Sequence, residues 1–569
     1  MSKVWKIKEN RNEGNSERLA KELDIDKILA TLLVQRGINT YEEARIFFRP
    51  SLDDLHDPFL MKDMDKAVER ITTSIKQNEG ILIYGDYDVD GTTSVAMVYS
   101  FLRKYHSKID YYIPDRYEEG YGVSYKGIEY AALNRIKLII ALDCGIKAVD
   151  KVQFAKDRGI DFIICDHHTP GDKLPDACAV LDPDRPDCSY PFKHLSGCGV
   201  GFKMLQAYCA KHQIPGEILW DYFDLLAVSI ASDIVPLKGE NRILTCFGLQ
   251  KLMENPRLGL KSILTIAGIA DKSITVEDIV FKIGPRINAA GRIESGRQAV
   301  DLLISEKDDE AMLYCEKINS HNLTRRSIDK NMTDEALKEI EHFNGKFRFS
   351  TVLFNPSWHK GVVGIVASRL IENHYRPTVV LTESNGFATG SARSVTGFDL
   401  YQAISECADL LENYGGHRYA AGLTMKIDNV PIFRERFEEV VGQTITPEQL
   451  IPQIEIDTEL NLKDIADKFF RILKQFEPFG PENMNPLFFA ENVVDNGNGR
   501  LVGSGNEHLK LCLIQEDEPY NVFDAIAFNQ SEHYQKISRG LCFDIAYTLT
   551  ENTFRGNTSI QLNIKDIKT

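Results

Sequence analysis

Gly80-Ile81-Leu82-Ile83-Tyr84-Gly85-Asp86-Tyr87-Asp88-Val89-Asp90-Gly91 is the stretch on which the reading of this chain turns. The apolar run Ile81 to Tyr84, entered through Glu79-Gly80, has the length and composition of a short buried strand. Three aspartates follow at alternate positions. Carboxylates this close repel one another strongly at low dielectric, so the cluster is tolerated only if it is fully solvated, as an Asp-rich turn, or neutralised by cations. An EF-hand calcium loop also opens Asp-x-Asp-x-Asp-Gly, but it needs a bidentate Glu at loop position twelve, where this chain has Met97, and an amphipathic helix before it, where this chain has a β-rich run. A divalent-metal site is the natural reading, provided more acids converge.

They do. Lys137-Leu138-Ile139-Ile140-Ala141-Leu142 reads as a buried strand ending at Asp143, and Asp161-Phe162-Ile163-Ile164-Cys165 as another ending at Asp166-His167-His168. Helix-like stretches over 93–105, 124–134 and 146–157 alternate with these strands, the rhythm of a parallel sheet, in which sites form beyond the strands' carboxyl ends. Asp88, Asp90, Asp143 and His167 are therefore expected to meet in space. Asp233 lies in Ser229-Ile230-Ala231-Ser232-Asp233-Ile234-Val235-Pro236, at the end of an apolar segment where an unpaired charge would be costly to bury, which favours a ligand over a turn residue.

The 569 residues, 43% of them hydrophobic, suffice for about three globular domains. No apolar run approaches a membrane span, and Met1-Ser2-Lys3-Val4-Trp5-Lys6 lacks a signal-peptide core, so a soluble cytoplasmic protein with no membrane partner is expected. Eleven cysteines without a Cys-x-x-Cys pair argue against a disulfide framework and a zinc ribbon. A net charge of −16 disfavours indiscriminate nucleic-acid binding, yet a local basic groove is compatible with it.

Along the chain, 1–45 reads as a helical preface, with Ser16 as an N-cap, and 46–298 as the metal-binding α/β domain. Charge-rich helices over 299–345 would connect it to a second α/β lobe over 346–445, with strands over 349–354 and 378–381 and helices over 361–373 and 399–411. The segment 446–569 breaks into short β runs split by Gly/Asn turns, the signature of a small antiparallel barrel. The expected class is thus α/β, with two parallel-sheet lobes joined by long helices and a C-terminal OB-like barrel. Gly197-Cys198-Gly199-Val200-Gly201 lacks the last glycine of the dinucleotide fingerprint, with Phe202 in its place, and is expected to open a helix. Trp358 is expected either in the core or, with His359-Lys360-Gly361, at phosphate or base.

Asp86-Tyr87-Asp88-Val89-Asp90-Gly91, Asp143, Asp166-His167-His168 and Asp233 together resemble, in order and context, the motifs of the DHH phosphoesterase superfamily. Gly415-Gly416-His417-Arg418-Tyr419-Ala420-Ala421-Gly422 looks like the glycine-rich signature of its associated DHHA1-like second domain. Gly284-Pro285-Arg286-Ile287-Asn288-Ala289-Ala290-Gly291-Arg292 and the barrel narrow the resemblance to the superfamily's single-stranded-DNA-specific 5′-to-3′ exonucleases. Small-molecule members carry a metal-ligating His four residues before the first aspartate of Asp-x-Asp; here Tyr84 stands there, which fits the nuclease pattern. The resemblance implies work in recombination and mismatch repair, with a helicase and a single-strand-binding protein as partners. Some homologues carry a further C-terminal domain that this chain is too short to include.

A mixed carboxylate and imidazole shell suits two Mn²⁺ or Mg²⁺ ions, Mn²⁺ first because His167 adds nitrogen. The ligand set is Asp88, Asp90, Asp143, His167 and Asp233, with Asp90 or Asp143 bridging. Asp86 and His168 are left to orient a ligand or move a proton, a hydrogen-bonded core histidine being the equal alternative for His168. Phosphate recognition is expected from Arg116, Arg286, Asn288 and Arg292, and from Ser391, Arg393 and His417 after the Gly415-Gly416 loop. Phe554 and Arg555, in a polar barrel turn, are candidate strand contacts. Two other functions are open: a DHH phosphodiesterase acting on short oligonucleotides or dinucleotides, and a non-catalytic single-strand-binding scaffold.

Overall fold

The apolar runs that end in acids become neighbouring strands of one parallel sheet, in the order Ile109–Tyr112, Gly80–Gly85, Ile136–Leu142, Asp161–Cys165, Ala179–Leu181. The computed structural model describes residues 3–9, 12–342, 348–515, 518–554 and 556–569. Alternation along these strands loads two cores: Ile81, Ile83, Leu138, Ile140 and Ile163 pack under the helices Met64–Lys76, Val89–Leu102 and Gly197–His212, whereas Leu82, Ile139, Phe162 and Ile164 face Tyr125–Leu133 and Val149–Lys156. Both faces are covered, so the strands can be apolar throughout and polar residues are confined to their ends.

Helices Arg297–Ile304 and Asp308–His342 follow the first lobe, and the longer one lays Met332 and Ala336 against Trp358, Val362 and Val366 of the second. Trp358 is a core residue whose Nε1 donates to Glu335 at 2.9 Å. The second lobe departs from the expected parallel sheet. Its strand order is Leu411–His417, Ala420–Lys426, Phe387–Arg393, Thr378–Ser384, Thr351–Phe354, and only the last pair is parallel. Tight turns at Asn385-Gly386 and Arg418-Tyr419 impose antiparallel hairpins, a local signal that an α/β rhythm hides. The expected Gly415-Gly416 loop is accordingly part of a strand.

These lobes form one unit, Leu52–Leu450; Met1–Ser51 and Ile451–Thr569 form a second. The first helices are not a separate preface: Leu29, Leu32, Leu33 and Phe47 share a core with Phe470, Phe476, Phe488, Leu511 and Tyr547. Strand Val4–Ile7 also pairs in parallel with Gln453–Ile456. Ser16 does not cap; it is buried inside the helix Glu13–Leu23. In this unit Phe488–Asp495 pairs with both Phe543–Phe554 and His508–Gln515, closing a five-stranded barrel through Asn557–Lys568 and Glu518–Ala527. It is antiparallel except where Glu518–Ala527 pairs in parallel with Asn557–Lys568. All eleven cysteines are free thiols. Among the described residues no helix is long and apolar enough to cross a membrane.

Candidate active site

Strand ends bring the acids together. Nε2 of His167, after the Asp161–Cys165 strand, lies 3.2 Å from Asp143 Oδ1, 3.5 Å from Asp233 Oδ2 and 3.8 Å from Asp90 Oδ2. Asp143, directly after its strand, has φ 58°, a left-handed conformation that aspartate tolerates better than most residues and that turns the chain at the sheet edge. Asp233 ends the helix Phe223–Ser232 and is followed by Ile234 at φ 60°. Two sets of three, Asp90–His167–Asp233 and Asp143–His167–His168, have ligand atoms within 4.8 Å of one another.

Asp90 is held by groups that the sequence did not single out for the site. Its carboxylate accepts from the N–H groups of Gly197 (2.6 Å) and Cys198 (2.8 Å) and from Ser229 Oγ (2.7 Å), and Ser229 Oγ shares a hydrogen bond with Ser196 Oγ (2.7 Å). The Gly-Cys-Gly run does open a helix, capped by Ser196, whose buried first N–H groups lack intrahelical partners and suit an anion. The glycine is also steric: a Cβ on Gly197 would lie 2.5 Å from Asp143 Cβ. A glycine pair before an apolar helix was the available signal for that close approach.

Asp88 caps the helix Val89–Leu102, its Oδ1 accepting from Gly91 N–H at 2.9 Å. Asp86 is buried; one oxygen accepts from Gly122 N–H at 3.2 Å and the other has no partner. Asp166 accepts from His167 N–H and Ile146 N–H and bonds His168 Nδ1 at 2.7 Å. His168 Nε2 in turn meets the Tyr121 hydroxyl at 3.2 Å, giving an Asp-His-Tyr chain beside the cluster. Tyr84 is fully buried, its hydroxyl donating to Gly122 C=O at 3.1 Å and accepting from Ser124 N–H, so it anchors a loop.

The charges are not balanced by the protein. Burial, then the neighbouring Asp88, pushes the Asp86 carboxyl up to about 8, and burial with Asp90 and Asp88 pushes Asp233 up to about 9. Asp143 is raised well above the carboxylate range by burial and by Asp90, Asp88 and Asp233. Burial pulls His167 down, while His168, against its own burial, is pushed up to about 9 by its hydrogen bond to Asp166. Hard oxygen donors, one imidazole nitrogen, an orphan buried carboxylate oxygen and uncompensated negative charge are what divalent cations fit.

A cavity of about 560 Å³ opens between the first lobe and the mixed sheet of the second. Arg116, Arg292, Ser391 and Arg393 all line it, with Tyr87 and Lys360. Arg116 lies over the Tyr87 ring, 4.9 Å from its centroid. Arg292 donates to Gly361 C=O at 2.9 Å and is lowered to about 10 by burial and by Arg116. Arg393 donates to Ser391 Oγ at 2.6 Å. Gly422, paired with both Ser391 and Gly415, lines the cavity beside Ser391 without a side chain to fill it. Gly415, Gly416 and the exposed His417, on the edge strand, lie outside the lining; so do Arg286 and Asn288, on the helix Gly284–Ile293, where Arg286 donates to Asn319 Oδ1 at 3.1 Å. Phe554 ends a barrel strand and its side chain, like all of Arg555, lies outside the described residues.

Three family profiles match the chain: the DHH family, N-terminal domain, over residues 80–230, the DHHA1 domain over 344–443 and the RecJ OB domain over 456–566. The single-stranded-DNA-specific exonuclease RecJ of Bacillus subtilis is 39% identical over 564 residues, covering 99% of this chain and 70% of that protein. The Escherichia coli protein of the same name is 31% identical, with 96% of each chain covered. The crystal structure of RecJ in complex with Mn²⁺ from Thermus thermophilus matches with a TM-score of 0.84 at 25% identity, covering 100% of this chain and 79% of that one. With all three domains matched in order and relatives this similar over nearly its whole length, the chain belongs to the RecJ family of single-stranded-DNA-specific exonucleases.

Proposed function

We propose that this protein is a metal-dependent exonuclease that hydrolyses the phosphodiester bonds of single-stranded DNA from the 5′ end, as expected of its family. The observation that carries the reading is the meeting of Asp90, Asp143 and Asp233 within 4 Å of His167 Nε2, in a pocket whose negative charge the chain leaves uncompensated. Asp88, Asp90, Asp143, His167 and Asp233 would hold two Mn²⁺ or Mg²⁺ ions. Such ions, when bound, supply charge stabilisation to both the attacking and the leaving oxygen and make water more acidic. Ser229 and the Gly197 and Cys198 amides hold Asp90 for that task. His168, charged beside Asp166, keeps a proton at Nδ1, and the buried Asp86, beside Asp88, orients a ligand or moves a proton. Arg116, Arg292 and Arg393 bind backbone phosphates in the cavity between the lobes, and Phe554 and Arg555 of the barrel domain are further contacts for the strand.

Division of the chain at 298, 345 and 445, a cytoplasmic location, and a repair helicase and single-strand-binding protein as partners belong to the same reading. The test is digestion of 5′- and 3′-end-labelled single strands in Mn²⁺. The 5′ label should leave first as a short product with the native chain and stay with Asp143→Ala. Equal rates for the two proteins would refute the assigned site, and early loss of the 3′ label the polarity.

A further inference from the structure

The helix that begins at the aspartate cluster ends at a second cavity. Val89–Leu102 has 14 residues and so spans about 21 Å, which places its last turn well away from Asp90. There a cavity of about 540 Å³ is lined by Arg103 and Lys104, by Lys251 and by the start of the helix Leu258–Ile266. A volume of this order is ordinary for a pocket that takes one small ligand, typically about 300–1,000 Å³.

Its charge is unusual for a chain of net −16. The Lys251 side chain is only 8% exposed, and its carboxylate partner among the described residues, Asp221 Oδ1, is 3.7 Å away. Among the described residues its ammonium donates no hydrogen bond to the chain, and on the cavity wall it is free to donate to a ligand. Lys104 and Arg103 lie over the rings of Tyr222 and Tyr99, at 5.3 and 5.8 Å from their centroids, and neither has a carboxylate partner among the described residues. Arg257, also on the wall, is already committed to the buried Asp224 at 3.1 Å and to the carbonyls of Leu303 and Asp221. The Leu258–Ile266 helix starts at Arg257 without a side-chain cap, so its first N–H groups add a positive end to the same wall. Against these stand Asp221 and Glu306, both at the solvent side.

We propose that this cavity is an anion site for a small phosphorylated ligand, with Lys251, Arg103 and Lys104 as its phosphate contacts. A phosphate group presents several strong acceptors to donors converging from three elements, giving Lys251 the hydrogen bonds it lacks. The shared chemistry is a phosphate or diphosphate group, free or carried by a nucleotide.

Calorimetric titration of the full chain in excess chelator, with inorganic phosphate, pyrophosphate and a nucleoside diphosphate as separate probes, decides it. At least one probe should bind one to one; saturation by pyrophosphate assigns a free anion, and saturation by the nucleoside diphosphate alone assigns a nucleotide. The exposed double variant R103A/K104A should weaken that binding at least tenfold, and Lys251→Met as much. Arg393→Ala, in the other cavity, should change it less than twofold. Absence of heat for all three probes at millimolar concentration overturns the proposal. So does binding that Arg393→Ala removes and R103A/K104A leaves intact.

Discussion

Replacing Gly197 by alanine adds one methyl group at the point where a helix start is pressed against the end of the Ile136–Leu142 strand. The new Cβ would lie 2.5 Å from Asp143 Cβ, 2.8 Å from Asp143 Cα and 2.9 Å from Asp143 Oδ1. Carbon atoms settle at about 3.5–4 Å, so the helix start or Asp143 must retreat by about 1 Å. Neither can move alone, because Gly197 N–H is bonded to Asp90 at 2.6 Å and Asp143 contacts His167 at 3.2 Å. The stability cost is that of overpacking, about 1–3 kcal/mol, partly offset by the better helix propensity of alanine. The functional cost is larger: a misplacement of about 1 Å among reacting groups lowers rates about 100-fold. The variant should therefore keep the native circular dichroism and a cooperative melt while its initial rate on single-stranded DNA at saturating Mn²⁺ falls about two orders of magnitude and Mn²⁺ binds more weakly. A folded Gly197→Ala protein that cuts within threefold of the native rate would refute the idea that this contact sets the Asp90–Asp143 geometry.

Chelator-treated protein should lose thermal stability as pH rises from 6 to 9. Asp86 and Asp233 sit at about 8 and 9, far above an unfolded carboxyl, and His168 at about 9 lies above an unfolded imidazole; the stability from these raised values is present at low pH and lost as pH climbs through them. The increment that Mn²⁺ adds to the melting temperature should grow over the same window, and a pH-independent increment would contradict the uncompensated charge. Ser229→Ala removes one of three donors to Asp90, and weaker Mn²⁺ binding by about 10- to 100-fold is expected from calorimetry, with little loss in melting temperature. Arg393→Ala should raise KM for single strands about tenfold while leaving the Mn²⁺ dissociation constant unchanged, since the residue lines the inter-lobe cavity and touches none of the acids. Lys203→Met strands the buried Glu240, which Lys203 Nζ meets at 3.0 Å and Tyr190 at 2.6 Å; a loss of about 3–5 kcal/mol in chemical denaturation is expected, and a neutral effect would mean that the charge is relieved elsewhere.

Much of the first lobe was legible because its signals are local. Apolar runs ending in Asp143 and in Asp166-His167-His168 announce strands buried on both faces, and a buried parallel sheet can place polar side chains only at its ends. The sequence pattern alone thus places the acids at those ends near one another. Asp233 was legible for a related reason, a charge inside an apolar segment. The mixed second sheet was less so, since two-residue turns override an α/β rhythm without changing composition. Gly415-Gly416-His417 shows the consequence: a glycine-rich motif reads as a loop, yet its residues pair along an edge strand, and only Gly415 falls in the row leading to Ser391.

By itself the sequence determined the order of the two α/β lobes and the barrel, the parallel sheet under the acids and which acids and histidines stand at its strand ends, because each follows from spacing and polarity over a few residues. Tertiary structure alone decided which partners those residues received. Gly197, Cys198 and Ser229 reach Asp90 from more than a hundred residues away in sequence, Arg292 and Arg393 line one cavity from two lobes, and the first helices complete a core whose other half lies beyond residue 450. The physical reason is that hydrogen bonds and close packing act over a few ångströms, and which distant segments come that close depends on how whole faces of helices and sheets are buried, a property no local window of residues contains.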